Sequence, residues 1–208
     1  MNIFALSRCP MESAEQMIDK HVVKMPTESC QMLHTNILYM MYKFYHGVEP
    51  TLADLKLFHN SLFTVGQYRY KREGPKLMKP AMLNHPSTIW ARKSLDNFIW
   101  LLHHADALCQ EYTFRYRKTH GTEKRIFDCE SYFDIVNNHD YPENTLSPVD
   151  IAMADEYRLP KEKHTWDFVI RSYRHYYREG KWSFAYWLRR DYPDWFPVSF
   201  IVSKIRGE

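Results

Sequence analysis

The residues with the most chemical potential lie near the start of the chain, in the run Asp19-Lys20-His21-Val22-Val23-Lys24, with Glu28 one turn further on. At 100° per residue Ile18 and Val22 centre an apolar stripe, and His21, Glu28, Lys24 and Lys20 follow one another round its flank. An imidazole, a carboxylate and two amines at the edge of a buried face are partly desolvated, which moves pKa values toward neutrality. Such a set suits proton transfer or an amine nucleophile. The same spacing also fits a solvated helix face on which Lys24 and Glu28 pair at i, i+4 around one satisfied histidine.

Three further groups carry anion-binding chemistry. Asn84-His85-Pro86-Ser87 makes a turn into a helix with Arg92 one turn in, an arrangement suited to a phosphate. It fits equally a capped helix whose Trp90 and Trp100 are core residues and whose Arg92 pairs with Asp96. Arg115, Arg117, Lys118 and His120 crowd the end of a long helical pattern, where they would complement the macrodipole in any protein. The strongest group is Arg171 to Phe196, which interleaves six basic residues with ten aromatic ones against three acids. Cations that take phosphates, with rings that stack on bases between them, are the usual chemistry of a nucleic-acid surface. A structural helix with Tyr173, Tyr177 and Trp187 turned inward and its arginines snorkelling would read the same way.

Composition narrows the field. The chain has 208 residues, 45% of them hydrophobic, with 28 lysines and arginines against 25 acids for a net charge of +3. That is enough for one domain with a sizeable core, and any basic face must be local. No apolar run reaches the roughly 18 residues of a membrane span, and the first twenty residues lack the pattern of a secretory signal. The expectation is a soluble, cytoplasmic protein with no membrane contact. Cys9, Cys30, Cys109 and Cys129 form no C-x-x-C pair, which points to a reducing compartment. Phosphate-loop, dinucleotide, nucleophile-elbow and zinc-protease motifs are all missing. The eleven histidines are too scattered to suggest a mononuclear metal site, so no metal or other cofactor is expected.

The elements that must position these groups are helical, because 3.6-residue periodicity dominates and sustained alternation is absent. Pro10 fits a first helical position, and Met11, Ala14, Ile18, Val22 and Met25 continue one stripe. Pro26 should then kink or break that helix. A second helix runs from Glu28 to a stop at Gly47, with Cys30, Leu33, Ile37, Met41 and Phe44 as its buried stripe. Residues 49–83 read as a loop-rich insertion with a short helix and a basic run of Arg69, Lys71, Arg72, Lys76 and Lys79. The longest pattern, Leu95 to Tyr116, predicts a central helix starting at Ser94 and ending near His120-Gly121. A shorter helix fits Glu123 to Asn137. A last long one fits Thr165 to Gly180, with a continuation toward Trp187. The whole reads as an all-α, single-domain helical bundle spanning residues 1–208.

Several of these segments carry a resemblance. Asn2-Ile3-Phe4, Asp19 to Met25, Asn84-His85-Pro86 with Trp90-Ala91-Arg92, and Tyr173-Arg174 with Tyr176-Tyr177 resemble a group of phage-encoded proteins. More distantly, the layout is similar to the phage pyrimidine-dimer DNA glycosylase and AP lyase family. The similarity lies in a short N-terminal segment, an Ala14-Glu15-Gln16 helix with a charged end, a long charged central helix, and an aromatic-basic C-terminal part at Tyr176-Tyr177 and Trp182 to Trp187. The family implies an all-α fold and a reaction in which the N-terminal amine attacks deoxyribose C1′ to form a Schiff base, helped by a carboxylate on the first helix. Here Asn2 follows Met1, and a residue of that size usually leaves the initiator methionine in place. The family's carboxylate falls near Val23 or Lys24, leaving Asp19 or Glu28 as substitutes.

The resemblance and the residues together imply an enzyme acting on DNA bases, working through a Schiff base on damaged or modified pyrimidine nucleotides. Lys24 or the N-terminal amine would be the nucleophile, Glu28 or Asp19 the carboxylate and His21 an auxiliary acid or base, with Lys20 as a second desolvated amine. DNA, double-stranded with the base extruded, would be held by His85, Arg92, Arg115, Lys118, His120, Arg174, Lys181, Arg189 and Arg190, with Tyr177 or Trp182 stacking on the base. Two other functions use the same surface. One is a transferase placing an amino acid or polyamine on thymine; the other is a binding module without catalysis for nucleic acid or a host protein.

Overall fold

The computed structural model describes residues 2–63, 75–197 and 199. Among them the chain is all-α, with three short 3-10 turns and no strand. The helices are α1 (Pro10–Glu15), α2 (Asp19–His46), α3 (Leu52–Phe63), α4 (Pro86–Ala91), α5 (Leu95–Tyr116), α6 (Glu123–Phe127), α7 (Phe133–Asn137) and α8 (Trp166–Gly180). None of the described helices is long and apolar enough to cross a membrane. Arg69, Lys71 and Arg72 of the expected basic run lie outside the described residues.

The axis of the fold is α2, 28 residues and about 42 Å long, which packs against α5, α4, α3 and α7. It continues through Pro26, so the proline does not break it. A proline inside a helix costs roughly 3 kcal/mol through its missing donor and its clash with the preceding turn. Here the ring itself is buried, beside Met25, Ser29 and Cys30, and that burial offsets the loss.

The interruption falls instead at residues 16–18, where tertiary partners take the backbone groups that would continue α1. The Glu15 carbonyl accepts from Arg115 at 2.9 Å and the Gln16 carbonyl from the Trp187 indole at 2.9 Å. The Asp19 N–H goes to the Tyr186 carbonyl at 2.8 Å. Gly47 ends α2 in the left-handed region at φ 71°, where glycine carries no Cβ penalty. Phe44, expected in the core, is 71% exposed, because the close packing around α2 covers residues 29–41 and gives out beyond them.

The other boundaries position the site. Helix α5 is capped by Ser94, which accepts the Asn97 N–H at 3.0 Å. It stops at Tyr116, four residues short of His120, because Arg117 adopts the left-handed conformation and closes the turn onto the Thr113 carbonyl. The turn that follows folds back on α2, pairing the Thr122 and Thr27 hydroxyls at 2.9 Å. Residues 75–83 lie along α2: the Met78 N–H donates to His34 at 2.8 Å and the Gln31 amide reaches the Lys79 carbonyl. This delivers His85 and α4 to the flank of α2. Glu123 to Asn137 forms α6, a 3-10 turn and α7 in place of one helix, and α8 ends at Gly180 before a 3-10 turn at Trp182–Phe184.

Candidate active site

The site is built around Glu28 on the half-exposed flank of α2. Its carboxylate accepts the backbone N–H of Asn2 at 3.1 Å and the Lys24 ammonium at 2.9 Å. Asn2 is clamped from three directions. Its side-chain amide donates to the Ala152 carbonyl at 2.6 Å, and its oxygen accepts the Tyr173 hydroxyl at 2.9 Å and the Ile3 N–H at 2.8 Å. Tyr173, fully buried on α8, also accepts the Ala152 N–H at 3.1 Å. The start of the chain is thus anchored to α8 and to the segment before it, with its backbone nitrogen turned to the carboxylate. The sequence placed Tyr173 as an inward-turned ring and Asn2 as the residue after Met1, and gave neither a part in the site. A bond between residues 171 positions apart leaves no local signal.

His85 borders the same cluster. Its Nδ1 accepts the Ser87 N–H at 3.2 Å and so caps α4. Burial first, and then the positive charge at the chain start, push its pKa below the ordinary histidine value, while Glu28 pulls the other way. Lys20 and Lys181 share the Phe184 ring, at 4.4 and 5.7 Å from its centroid, and Lys181 also sits 4.6 Å from the Tyr176 ring. The C-terminal aromatic-basic segment therefore reaches the N-terminal end of α2. Phe184 is the ring that joins them, and the interleaved pattern of that segment could have singled it out. Trp182 is half-buried on the same turn. His120 donates from Nε2 to the Val23 carbonyl at 3.1 Å, and Lys118 stands exposed in the same turn.

His21 is close in sequence but turned into the core. It stacks on Phe4 with centroids 4.2 Å apart and bonds the Tyr177 hydroxyl at 2.6 Å. Burial, then Lys181 and Lys24, bring its pKa down to about 3, so it is neutral at any physiological pH. Tyr177 is fully buried in this contact and has no face free for a base.

Several expected phosphate ligands serve other purposes. Arg115 is fully buried, donating to Glu111 at 2.6 Å and Asp19 at 2.7 Å. Arg190 donates to Glu111 and Glu15 at 2.7 and 3.2 Å. Asp19 also accepts the Leu188 N–H at 3.0 Å. The network ties α1, α2 and α5 to the C-terminal segment, and its acids already satisfy its arginines, while Asp19 is spent on structure rather than facing the amines. Arg174 donates to the Leu6 carbonyl at 3.1 Å and sits 5.4 Å from the Trp195 ring. Arg189 reaches the Phe114 carbonyl at 3.5 Å. Arg92 lies at the far end of α4, bonded to the Leu83 carbonyl at 2.7 Å and not to Asp96.

Among the described residues no group of histidines, cysteines and acids has the arrangement of a metal centre. The chemistry available at Glu28 is that of a carboxylate paired with one lysine and a backbone N–H, with the His85 imidazole close enough to feel its charge. No curated protein and no solved structure matches the chain significantly. The family model for pyrimidine dimer DNA glycosylase matches residues 1–124, a stretch that holds Asn2, Lys24, Glu28 and His85. On a match over more than half of its length, the chain belongs to the pyrimidine dimer DNA glycosylase family.

Proposed function

We propose that the protein is a DNA glycosylase with lyase chemistry, acting through a Schiff base on damaged or modified pyrimidine nucleotides in duplex DNA. One observation carries this reading: a single carboxylate, Glu28, holds both the first described backbone nitrogen of the chain and a lysine. In the reaction an amine lone pair attacks C1′ of the deoxyribose, and the base leaves with the electrons of the glycosidic bond. One amine proton passes through Glu28 to the departing base; the C1′–O4′ bond then breaks, the ring oxygen takes the second amine proton, and the sugar is left joined to the enzyme as an imine. Glu28 accepts a proton from the attacking amine and stabilises the positive charge that builds at C1′.

Of the two candidate amines, Lys24 and the α-amine that precedes the Asn2 N–H held by Glu28, the α-amine is the better nucleophile. As a class α-amines titrate near 7.7–8.0 and lysines near 10.4, so far more of the former is free base at neutral pH. The Lys24 side chain is 69% exposed, outside the apolar pocket that turns a lysine into a nucleophile. Its role is to pair with the Glu28 carboxylate and fix its position. His85, whose titration responds to both Glu28 and the chain start, takes the auxiliary part that the sequence suggested for His21. Lys20, Lys118 and Lys181 hold phosphates, and Phe184 or Trp182 stacks against the extruded base.

Borohydride trapping tests the reading. Incubation with a duplex carrying an abasic site or a pyrimidine dimer should give a reduced covalent adduct, and peptide mass mapping should place it on the chain-start amine. Glu28→Gln should lower adduct formation by about 10²- to 10⁴-fold and leave duplex binding in place. An absence of adduct with every duplex offered would overturn the proposal, and an adduct at Lys24 would reverse the assignment of the amines.

A further inference from the structure

A second polar cleft, of about 410 Å³, opens at the other end of α4. Its working residues are Tyr39 and Lys43 of α2, Glu49 of the following loop, Arg92 and Lys93 after α4, and His139. Arg92 is its centre. The guanidinium lies over the Tyr39 ring at 4.6 Å from the centroid and donates to the Leu83 carbonyl at 2.7 Å and Asn36 at 3.4 Å. No carboxylate lies within ion-pair distance of it among the described residues. Burial disfavours its charge, lowering its pKa, and a desolvated guanidinium is a good receptor for an anion. The anion the cleft now contains is Glu49, which accepts from the Tyr39 hydroxyl and from Lys43 at 2.7 Å. Glu49 is 65% exposed and comes from the loop after Gly47, so it can leave without disturbing a helix.

The position of the cleft relative to Glu28 identifies the ligand. Tyr39 and Lys43, which hold Glu49, lie 11 and 15 residues beyond Glu28 on α2, about 16 and 22 Å along the helix axis. A DNA strand rises about 3.4 Å per nucleotide. A strand leaving the reacting nucleotide along α2 therefore brings a phosphate to the cleft about five or six nucleotides away. We infer that the cleft binds a backbone phosphate of the substrate strand about five or six nucleotides from the reacting one, and that Glu49 occupies the phosphate's place until DNA displaces it. The inference rests on the proposed DNA reading and deepens it by fixing a register between the chemistry and the strand.

The test is equilibrium binding to a duplex with a stable abasic analogue, measured by fluorescence anisotropy at several salt concentrations. Lys43→Gln and Arg92→Ala should each weaken binding about tenfold at low salt and reduce the logarithmic salt slope by about one. Glu49→Gln should tighten binding several-fold by removing the competing carboxylate. Neutralising single phosphates as methylphosphonates should locate the contact. The substitution about five or six nucleotides from the analogue should weaken the wild type and leave Lys43→Gln unaffected. Thermal unfolding checks that Arg92→Ala is folded; Lys43→Gln and Glu49→Gln, at accessible positions, decide the matter if it is not. If these two bind as the wild type does and no phosphate position couples to Lys43, while the borohydride adduct still forms, the cleft assignment is wrong and the proposed chemistry stands. If the wild type binds no duplex at all, both are overturned.

Discussion

Acid should unfold this protein earlier than its carboxylates alone would require, because three histidines are held neutral in the core. His21 has its pKa lowered to about 3 by burial and then by Lys181 and Lys24. His104, with neither ring nitrogen hydrogen-bonded and its ring stacked on Trp100 at 5.0 Å, is lowered to about 3 by burial. Burial likewise brings His34 to about 4. Its Nε2 donates to the Arg125 carbonyl at 2.9 Å and its Nδ1 accepts the Met78 N–H at 2.8 Å. A second proton on His34 must therefore displace the Met78 bond. In the unfolded chain each of the three titrates near 6.5.

The folded pKa values are depressed, so the stability these histidines contribute is complete above pH 6.5 and is lost as pH falls toward 3–4. Below pH 6.5 the unfolded state binds more protons, and each group then costs about 1.4 kcal/mol per pH unit. At pH 5 the loss is about 2 kcal/mol per histidine and about 6 kcal/mol for the three. That rivals the whole stability of an ordinary domain, about 5–15 kcal/mol. The assay is urea unfolding at half-unit steps from pH 7.5 to 5.0, where most carboxylates have not begun to titrate. The slope near pH 5 should correspond to about three protons, and His104→Leu should reduce it to about two whatever the substitution does to packing. A slope under one proton, or one that His104→Leu leaves unchanged, would refute the argument that these rings are neutral in the fold.

Three other outcomes follow from the contacts. Tyr177→Phe removes the partner of a buried imidazole nitrogen without changing shape. It should cost about 1–3 kcal/mol, read as a fall in urea midpoint. Arg115→Ala leaves Glu111 and Asp19 without their buried partner and should cost about 3–5 kcal/mol, seen in thermal unfolding; a variant as stable as the parent would free Arg115 for the phosphate role the sequence suggested. Lys20→Ala and Lys181→Ala, at lysines that meet over the Phe184 ring at the N-terminal end of α2, should weaken duplex binding uniformly across sequences and each reduce the logarithmic salt slope by about one. Unchanged salt slopes would remove them from the DNA path.

What the sequence made legible was the type of each element and its approximate span. Helix period, the Ser94 and Thr165 caps and the Gly47 stop are local signals, and the structure has α2, α5 and α8 on them. The errors came where distant partners override local preference. Pro26 looks like a break in isolation, yet it is buried and the helix continues through it. Residues 16–18 look continuous, yet Arg115, Trp187 and Tyr186 take their backbone groups from 100 or more positions away. Arg117 ends α5 in a left-handed conformation that composition would assign to Gly121.

The site divides along the same line. Lys24 and Glu28 are four residues apart on one helix, so their pairing could be read from spacing alone. What spacing could not say is which charged groups would share a surface. Arg115 and Arg190 look like free cations in a list of residues, but Glu111 lies 3% exposed between them and turns both into internal ties. Lys20 and Lys181, 161 positions apart, meet over one ring. A count of basic residues therefore overstates the cationic face, because each buried carboxylate withdraws an arginine from it. The cations left for a ligand are those whose neighbours are aromatic rings or backbone carbonyls. By that criterion Lys20, Lys181, Arg92, Arg174 and Arg189 remain and Arg115 and Arg190 do not, and the first two meet over Phe184 at the N-terminal end of α2, the helix that carries Glu28.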